Sequence, residues 1–235
     1  MRGTFGAYQK VVHSLVKRQI LHTADGSTTL HIPEWEENYH SKHGAIQEAY
    51  HVFIHSGLSL FEGKSVAVLE MGFGTGLNAF ITWLEHEKRG QSIDYVGLEA
   101  YPITLEEAAQ MNYPSALQVG HHHSIFEKMH QLPWNEPMAL SADFTLTKRH
   151  QFFQELNEND RYDLVYFDAF GFRVQPELWD YPMFQKVYNA LRKGGVLVTY
   201  ACRTSIRKAM LEAGFTVEKL PGAPGKREML RAFKN

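Results

Sequence analysis

The sequence predicts an α/β protein built on a doubly wound, mostly parallel sheet. Three observations carry this expectation. From Gly63 onward, short β-prone runs alternate with stretches of helical period, the pattern of parallel strands joined by crossover helices. Val66-Ala67-Val68-Leu69 is continuously apolar rather than alternating, as a strand covered on both faces requires. That run leads into Gly72-Phe73-Gly74-Thr75-Gly76 and then at once into a helical stretch; ligands of such sheets bind beyond the C-terminal strand ends. The 235 residues suit one domain with an extension, divided as residues 63–235 and 1–62.

Each element has its own signal. Asp25-Gly26 lies between the β-prone stretches 20–23 and 28–31, which predicts a hairpin. Residues 39–54 place Ala45, Ala49, Val52 and Phe53 at helical spacing. After the strand at 66–69 come a helix at 77–87, a strand at 93–99 and a helix at 104–111 with Thr104 as its N-cap. Pro114, Pro133 and Pro137 punctuate the stretch 112–140. A third strand is expected to end at Leu140, and a helix to occupy 148–157. The clearest strand is 162–168. A helix at 183–191 stops at Lys193-Gly194-Gly195. A strand at 196–200, a helix at 205–213 and a strand pair at 215–220 and 229–233 complete the chain.

Composition narrows the function. Apolar residues at 44% and charged residues at 21% exclude wholesale disorder. A net charge of −2 excludes a uniformly basic nucleic-acid coat and leaves room for a local basic face. The single cysteine, Cys202, excludes an intrachain disulfide and a cysteine-rich zinc site. His121-His122-His123 cannot all face one ion on a regular helix or strand, so it reads as a loop or helix end and no metal is expected. The apolar stretch 11–21 is broken by His13, Lys17 and Arg18, unlike a signal peptide. No run approaches the roughly 20 apolar residues of a membrane span. The expectation is a soluble, cytoplasmic protein without a membrane partner.

The chemistry is expected at three strand ends. The first strand gives Glu70-x-Gly72-x-Gly74-x-Gly76, followed by Asn78. A nicotinamide fingerprint would place its third glycine one position later, so a dehydrogenase is disfavoured. The spacing resembles the first motif of S-adenosylmethionine-dependent methyltransferases. Glu99 ends the second strand, where a carboxylate can accept both ribose hydroxyls. Asp143 follows the expected third strand, the place from which such folds accept the adenine amino group; starting a turn is its other reading. Asp168-Ala169-Phe170-Gly171-Phe172 closes the clearest strand. There an Asp can hold an amine and an aromatic ring can stack a base.

Four stretches carry a more specific resemblance. They are Tyr39-His40-Ser41 with Gly44, Glu48 and residues 50–53; Glu70 to Asn78; Asp168-Ala169-Phe170 with Gln175-Pro176-Glu177-Leu178-Trp179; and Gly225-Lys226-Arg227-Glu228-Met229. Together the chain resembles the methyltransferase domain of the MnmC type, including its stand-alone form. The resemblance implies a Rossmann-like class I methyltransferase fold. It also implies conversion of 5-aminomethyl-(2-thio)uridine to 5-methylaminomethyl-(2-thio)uridine at the tRNA wobble position, with the anticodon loop as partner. S-adenosylmethionine would be held by Glu70, Gly72, Gly74, Gly76, Asn78, Glu99, Asp143 and Asp168. Asp168 would orient the amine, and Phe170 or Phe172 would stack the uracil.

Two departures stand out. Gly171-Phe172 replaces the family's usual Ala-Pro, and the flavin-dependent domain of bifunctional members has no counterpart before Asn235, so no flavin is expected. Residues 203–235 carry eight Lys and Arg against three Glu, which marks Lys226 and Arg227 as candidate phosphate contacts. Glu48 and Tyr50 are expected to pack their helix, with closure over the site as the alternative. His40, His43 and His51 read as surface or packing residues, and Trp179 as core. A methyltransferase of a small-molecule or protein amine, and a non-catalytic cofactor-binding module, remain the competing readings.

Overall fold

The computed structural model describes residues 17–235; residues 11–16 of the stretch judged unlike a signal peptide lie outside them. Strands are β1 (Gln19–His22), β2 (Thr28–Ile32), β3 (Glu37–Asn38), β4 (Ser65–Met71), β5 (Ser92–Glu99), β6 (Pro137–Ser141), β7 (Phe144–His150), β8 (Tyr162–Phe167), β9 (Leu191–Thr199), β10 (Thr216–Pro221) and β11 (Glu228–Phe233). Helices are α1 (Ala45–Ala49), α2 (Leu77–Lys88), α3 (Leu105–Ala108), α4 (Tyr113–Ala116), α5 (His123–Gln131), α6 (Tyr181–Ala190) and α7 (Thr204–Glu212). Wider π-helical turns, Tyr50–His55, continue α1.

Eight strands form the central sheet in the order β10-β11-β9-β8-β4-β5-β7-β6. The five inner strands from β9 to β7 pair in parallel. From β4 the chain winds outward through β5 and β7, then returns to β8 on the other side of β4. Met71 and Phe167 face each other at that reversal, the point where open α/β sheets open a crevice for ligands. Every β4 residue after Ser65 is buried, because both faces are covered. Val68, Tyr95 and Tyr166 meet Phe80 of α2 on one face; Leu69, Val165 and Leu197 meet Phe184 of α6 and Ile206 of α7 on the other. Full burial of each such side chain contributes about 1.5–3 kcal/mol.

The N-terminal segment is fused to this domain. β1, β2 and β3 form a small antiparallel sheet, with the expected hairpin around Asp25-Gly26. Leu30, Ala49 and Phe53 belong to the same buried cluster as Val68 and Phe80. The Thr28 N–H donates to Asn112 Oδ1 at 2.8 Å. Thr104 caps α3 as expected, in a reciprocal capping box with Glu107.

The stretch 112–157 departs from expectation. Leu140 lies in β6, an antiparallel edge strand, and the third parallel strand is β7. Residues 148–157 are not a helix: Lys148 and Arg149 belong to β7, and Phe153–Glu155 forms one 3-10 turn. Phe144, Leu146 and Lys148 share one period-2 face. Lys148 is buried there because its ammonium donates to the His130 carbonyl at 2.6 Å and lies 4.8 Å from the Trp134 ring centroid. A lysine at an inward position hides strand alternation from the sequence. The helices α4 and α5 were not foreseen, although the His121–His123 run does sit at the start of α5. Residues 193–195 are the start of β9 rather than a loop beyond the preceding helix.

Candidate active site

The ends of β4, β5, β7 and β8 open into a cavity of about 260 Å³, lined also by the N-terminal segment around Tyr39 and by Lys226 of the C-terminal loop. Its floor is the glycine turn. The N–H groups of Gly72 and Phe73 both donate to the Leu98 carbonyl at 3.1 and 2.9 Å, tying the turn to the end of β5. Gly72 has φ +104°, and a Cβ there would lie 2.6 Å from the Asp168 carbonyl oxygen. Gly74 has φ +50°, and a Cβ there would meet the Tyr39 ring at 3.2 Å. Both positions need glycine: L side chains avoid that backbone and the space is filled.

Glu99 stands at the cavity wall. One carboxylate oxygen accepts from Gly74 N–H and the other from Tyr101 N–H, each at 2.9 Å. A carboxylate offers about four acceptor sites, so the fixed group keeps capacity for a diol. Tyr101 and Phe152 face each other edge-on at 5.9 Å beside it, at the ends of β5 and β7.

Asp168 follows β8. Its Oδ2 accepts from Asn78 Nδ2 at 2.8 Å. Burial, helped by the nearby Glu48 carboxylate, pushes its pKa up to about 7 against the opposing effects of Asn78 and Lys226. The Lys226 ammonium donates to Glu48 Oε1 and lies 3.9 Å from the Tyr200 ring centroid. Two bonds fasten the loop after Asp168: Tyr200 O–H donates to the Ala169 carbonyl and Trp179 Nε1–H to the Phe170 carbonyl, both at 2.8 Å. Phe170 meets Trp35 and Tyr39 edge-on at 5.5 and 5.0 Å, with its ring in the cavity wall.

The structure therefore brings together Gly72, Gly74, Asn78, Glu99, Asp168, Phe170 and Lys226. Five expectations need correction. Asp143 lies in the β6–β7 turn, where its carbonyl accepts from Ile93 N–H at 2.8 Å. That is the start of β5, the opposite end of the sheet from the cavity. Taking β6 for the third parallel strand caused the error. Glu70 is fully buried and does not line the cavity; it points to the α2 face among Tyr95, Asn78 and Tyr166. Gly76 begins α2 behind the turn and is likewise outside the lining. Phe172 sits in a neighbouring groove, so it cannot share the stacking role with Phe170. Lys226 turns inward to Glu48 rather than out to solvent phosphates, while Arg227 is exposed.

Of the N-terminal residues, Glu48 and His40 line the cavity, whereas Tyr50 O–H points to Glu85 at 3.4 Å and His51 bonds the Pro221 carbonyl at 2.8 Å. Burial lowers the His40 pKa to about 4, so it is neutral at pH 7. Trp179 is core, as expected. The sequence reading missed Tyr101, Phe152 and Tyr200. Phe152 follows the end of β7, so a correct assignment of that strand would have found it; Tyr101 follows β5, which the sequence did place, and its position two residues past Glu99 was the signal.

Burial and the surrounding carboxylates hold Glu70 well above its ordinary value of 4.5. The native state then keeps a proton that the unfolded chain releases, so stability falls as pH rises from about 4.5 toward the native value, by about 1.4 kcal/mol per pH unit. Glu70→Gln is expected to remove that slope. Urea unfolding at a series of pH values above about 5 measures it; equal slopes in both proteins would mean that Glu70 is ionised in the native state.

A glycine turn at the switch point, a carboxylate at the end of β5 and an Asp at the end of β8 define an S-adenosylmethionine-dependent methyltransferase. A family model described as S-adenosyl-L-methionine-dependent methyltransferase matches residues 115–235, more than half of the chain, and the chain belongs to that family. It is 28% identical over 226 residues to the tRNA 5-methylaminomethyl-2-thiouridine biosynthesis bifunctional protein MnmC of Polaromonas naphthalenivorans, covering 89% of this chain and 34% of that protein. To the protein of the same name from Aromatoleum aromaticum it is 31% identical over 206 residues, covering 82% and 32%. The chain thus spans about a third of the length of these relatives. The crystal structure of MnmC2 from Aquifex aeolicus superposes with a TM-score of 0.73 at 23% identity, covering all of this chain and 78% of that one, and shares the fold.

The cavity fits S-adenosylmethionine. The side-chain-free turn at Gly72 and Gly74 is a cradle that any Cβ would fill. Glu99 would hold the ribose hydroxyls, and Tyr101 with Phe152 would flank the adenine. Among the described residues no helix is long and apolar enough to cross a membrane, and no cluster of three or more His, Cys, Asp or Glu is placed to hold a metal.

Proposed function

We propose that this chain methylates the primary amine of a 5-aminomethyl group on a tRNA wobble uridine, giving 5-methylaminomethyluridine or its 2-thio form. The observation that carries the proposal is Asp168, a half-buried carboxyl at the switch point, held by Asn78 and walled by Phe170. The names of the relatives support the substrate class. Bound S-adenosylmethionine supplies an electrophilic sulfonium methyl. The nucleophile must be the neutral amine, since an ammonium has no lone pair. Ionised Asp168 accepts an N–H bond and points the nitrogen; after the N–C bond forms, it is the nearest carboxylate to take the released proton. Phe170 offers its ring to the uracil. Tyr200 and Trp179 keep the Asp168–Phe170 loop in place, a form of preorganisation. The Lys226–Glu48 pair joins the C-terminal loop to α1 across the mouth.

Incubation with labelled S-adenosylmethionine and tRNA bearing 5-aminomethyl-2-thiouridine, followed by nucleoside digestion, tests the proposal. Label in 5-methylaminomethyl-2-thiouridine is expected. Cofactor binding without any label would move the substrate to another amine.

The pH profile tests the site electrostatics. Asp168 acts ionised, so kcat/KM of the free enzyme is expected to rise through pH of about 7. Glu48 raises the Asp168 pKa and Lys226 lowers it. Glu48→Gln removes the raising charge and frees the lowering one, so the acid limb is expected to move to lower pH. A limb that stays put would assign it to another group.

A further inference from the structure

A second groove opens beside the cavity, between the loop after β8, the loop after β9 and the C-terminal loop. It measures about 370 Å³ and shares Tyr200 and Lys226 with the cavity. Its wall is half-buried Phe172, over which the Arg203 guanidinium carbon sits 4.8 Å from the ring centroid. Arg203 and Arg227 are exposed on the rim.

The charges around the groove are accounted for one by one. Lys226 is committed to Glu48. Glu228 accepts from Lys219 at 2.8 Å and from the Cys202 thiol at 3.5 Å. Arg203 and Arg227 enter no ion pair among the described residues, and Arg207 and Lys208 follow on α7. The cleft on the other side of Phe170 has the opposite character. It presents Glu34 and Glu177, while its arginines are spent: Arg18 on Glu107 and Tyr39, and Arg173 on the carbonyls of Trp35 and Glu36. Of these two clefts, the groove of Arg203 and Arg227 is the one that favours a phosphate.

We infer that this groove seats the nucleotide adjacent to the target uridine, its base on the Phe172–Arg203 platform and its phosphate on Arg203 and Arg227. Splayed single-stranded bases stack on aromatic rings and on guanidinium planes, and phosphates reward unpaired cations. The inference rests on the tRNA reading above and adds the direction in which the strand leaves the cavity.

Binding of a fluorescein-labelled anticodon stem-loop RNA across a salt series tests it. Phe172→Ala and Arg203→Ala are each expected to weaken binding about 5- to 100-fold, with a double variant well short of the product, because the two form one platform. Arg227→Ala should flatten the log–log salt slope by about 0.7, the loss of one single-strand phosphate contact. A stem-loop with an abasic site beside the wobble uridine should bind wild type as weakly as Phe172→Ala binds the intact loop, and should bind Phe172→Ala no worse. Variants that match wild type in affinity and slope, while wild type methylates tRNA, overturn the groove and leave the substrate assignment standing. The expected losses in a protein that transfers no label to tRNA keep the groove and overturn the chemistry. Wild type that binds no RNA overturns both.

Discussion

Asp168→Asn is expected to lower kcat about 10²–10⁴-fold, the range for a positioned group that handles a proton, while S-adenosylmethionine binding persists. The substitution keeps the shape and leaves a carbonyl oxygen to accept from Asn78, which donates at 2.8 Å in the native site. It removes the negative charge and the proton acceptor. Glu99 and the glycine turn are untouched, and their mutual hydrogen bond does not involve Asp168. Single-turnover rates and calorimetric titration of the cofactor separate the two effects. The pH profile adds a third readout, since a limb caused by Asp168 must vanish from any residual activity of the Asn variant. A variant with wild-type kcat would leave Asp168 as part of the cavity wall and transfer the proton step elsewhere, with Glu48, whose carboxylate acts on Asp168, as the next candidate.

What the sequence showed and what it hid follow from the range of each signal. The Gly72–Gly76 turn, Glu99 and Asp168 were legible because each sits directly at the end of an apolar strand, so one local pattern fixes both the element and its mouth. Asp143 was misplaced because β7 carries a buried Lys148, and a lysine is read as solvent-facing. Its burial depends on the His130 carbonyl in α5, a helix the sequence did not reveal. The Lys226–Glu48 pair joins residues 178 apart. Charge counting places Lys226 in a basic stretch but says nothing of direction, and the fold turns it inward while leaving Arg227 out. Glu70 shows the same limit in a strand: its motif is recognisable, yet the pleat sends it under the turn instead of into the cavity.

Gly72→Ala is expected to be the most damaging small substitution in the site. Gly72 holds φ +104°, and an added Cβ would lie 2.6 Å from the Asp168 carbonyl oxygen. The two strand ends cannot easily part, because Asp168 N–H donates to the Met71 carbonyl at 3.0 Å and Gly72 N–H to the Leu98 carbonyl at 3.1 Å. Backbone strain of about 1–3 kcal/mol adds to an overpacking cost of about 1–3 kcal/mol. For a domain of this size the sum lowers Tm by roughly 5–15 °C. Any relaxation must move the loop that carries Asp168, so activity should fall further than stability alone explains. Gly171→Ala is the matched control. Its Cβ would find Glu37 Oε2 at 3.6 Å, an ordinary contact, and a change within about 0.5 kcal/mol is expected. Differential scanning calorimetry of the two variants decides the point: equal melting temperatures would mean that the switch point can open without loss, and that the turn is not held against Asp168 in the way its hydrogen bonds imply.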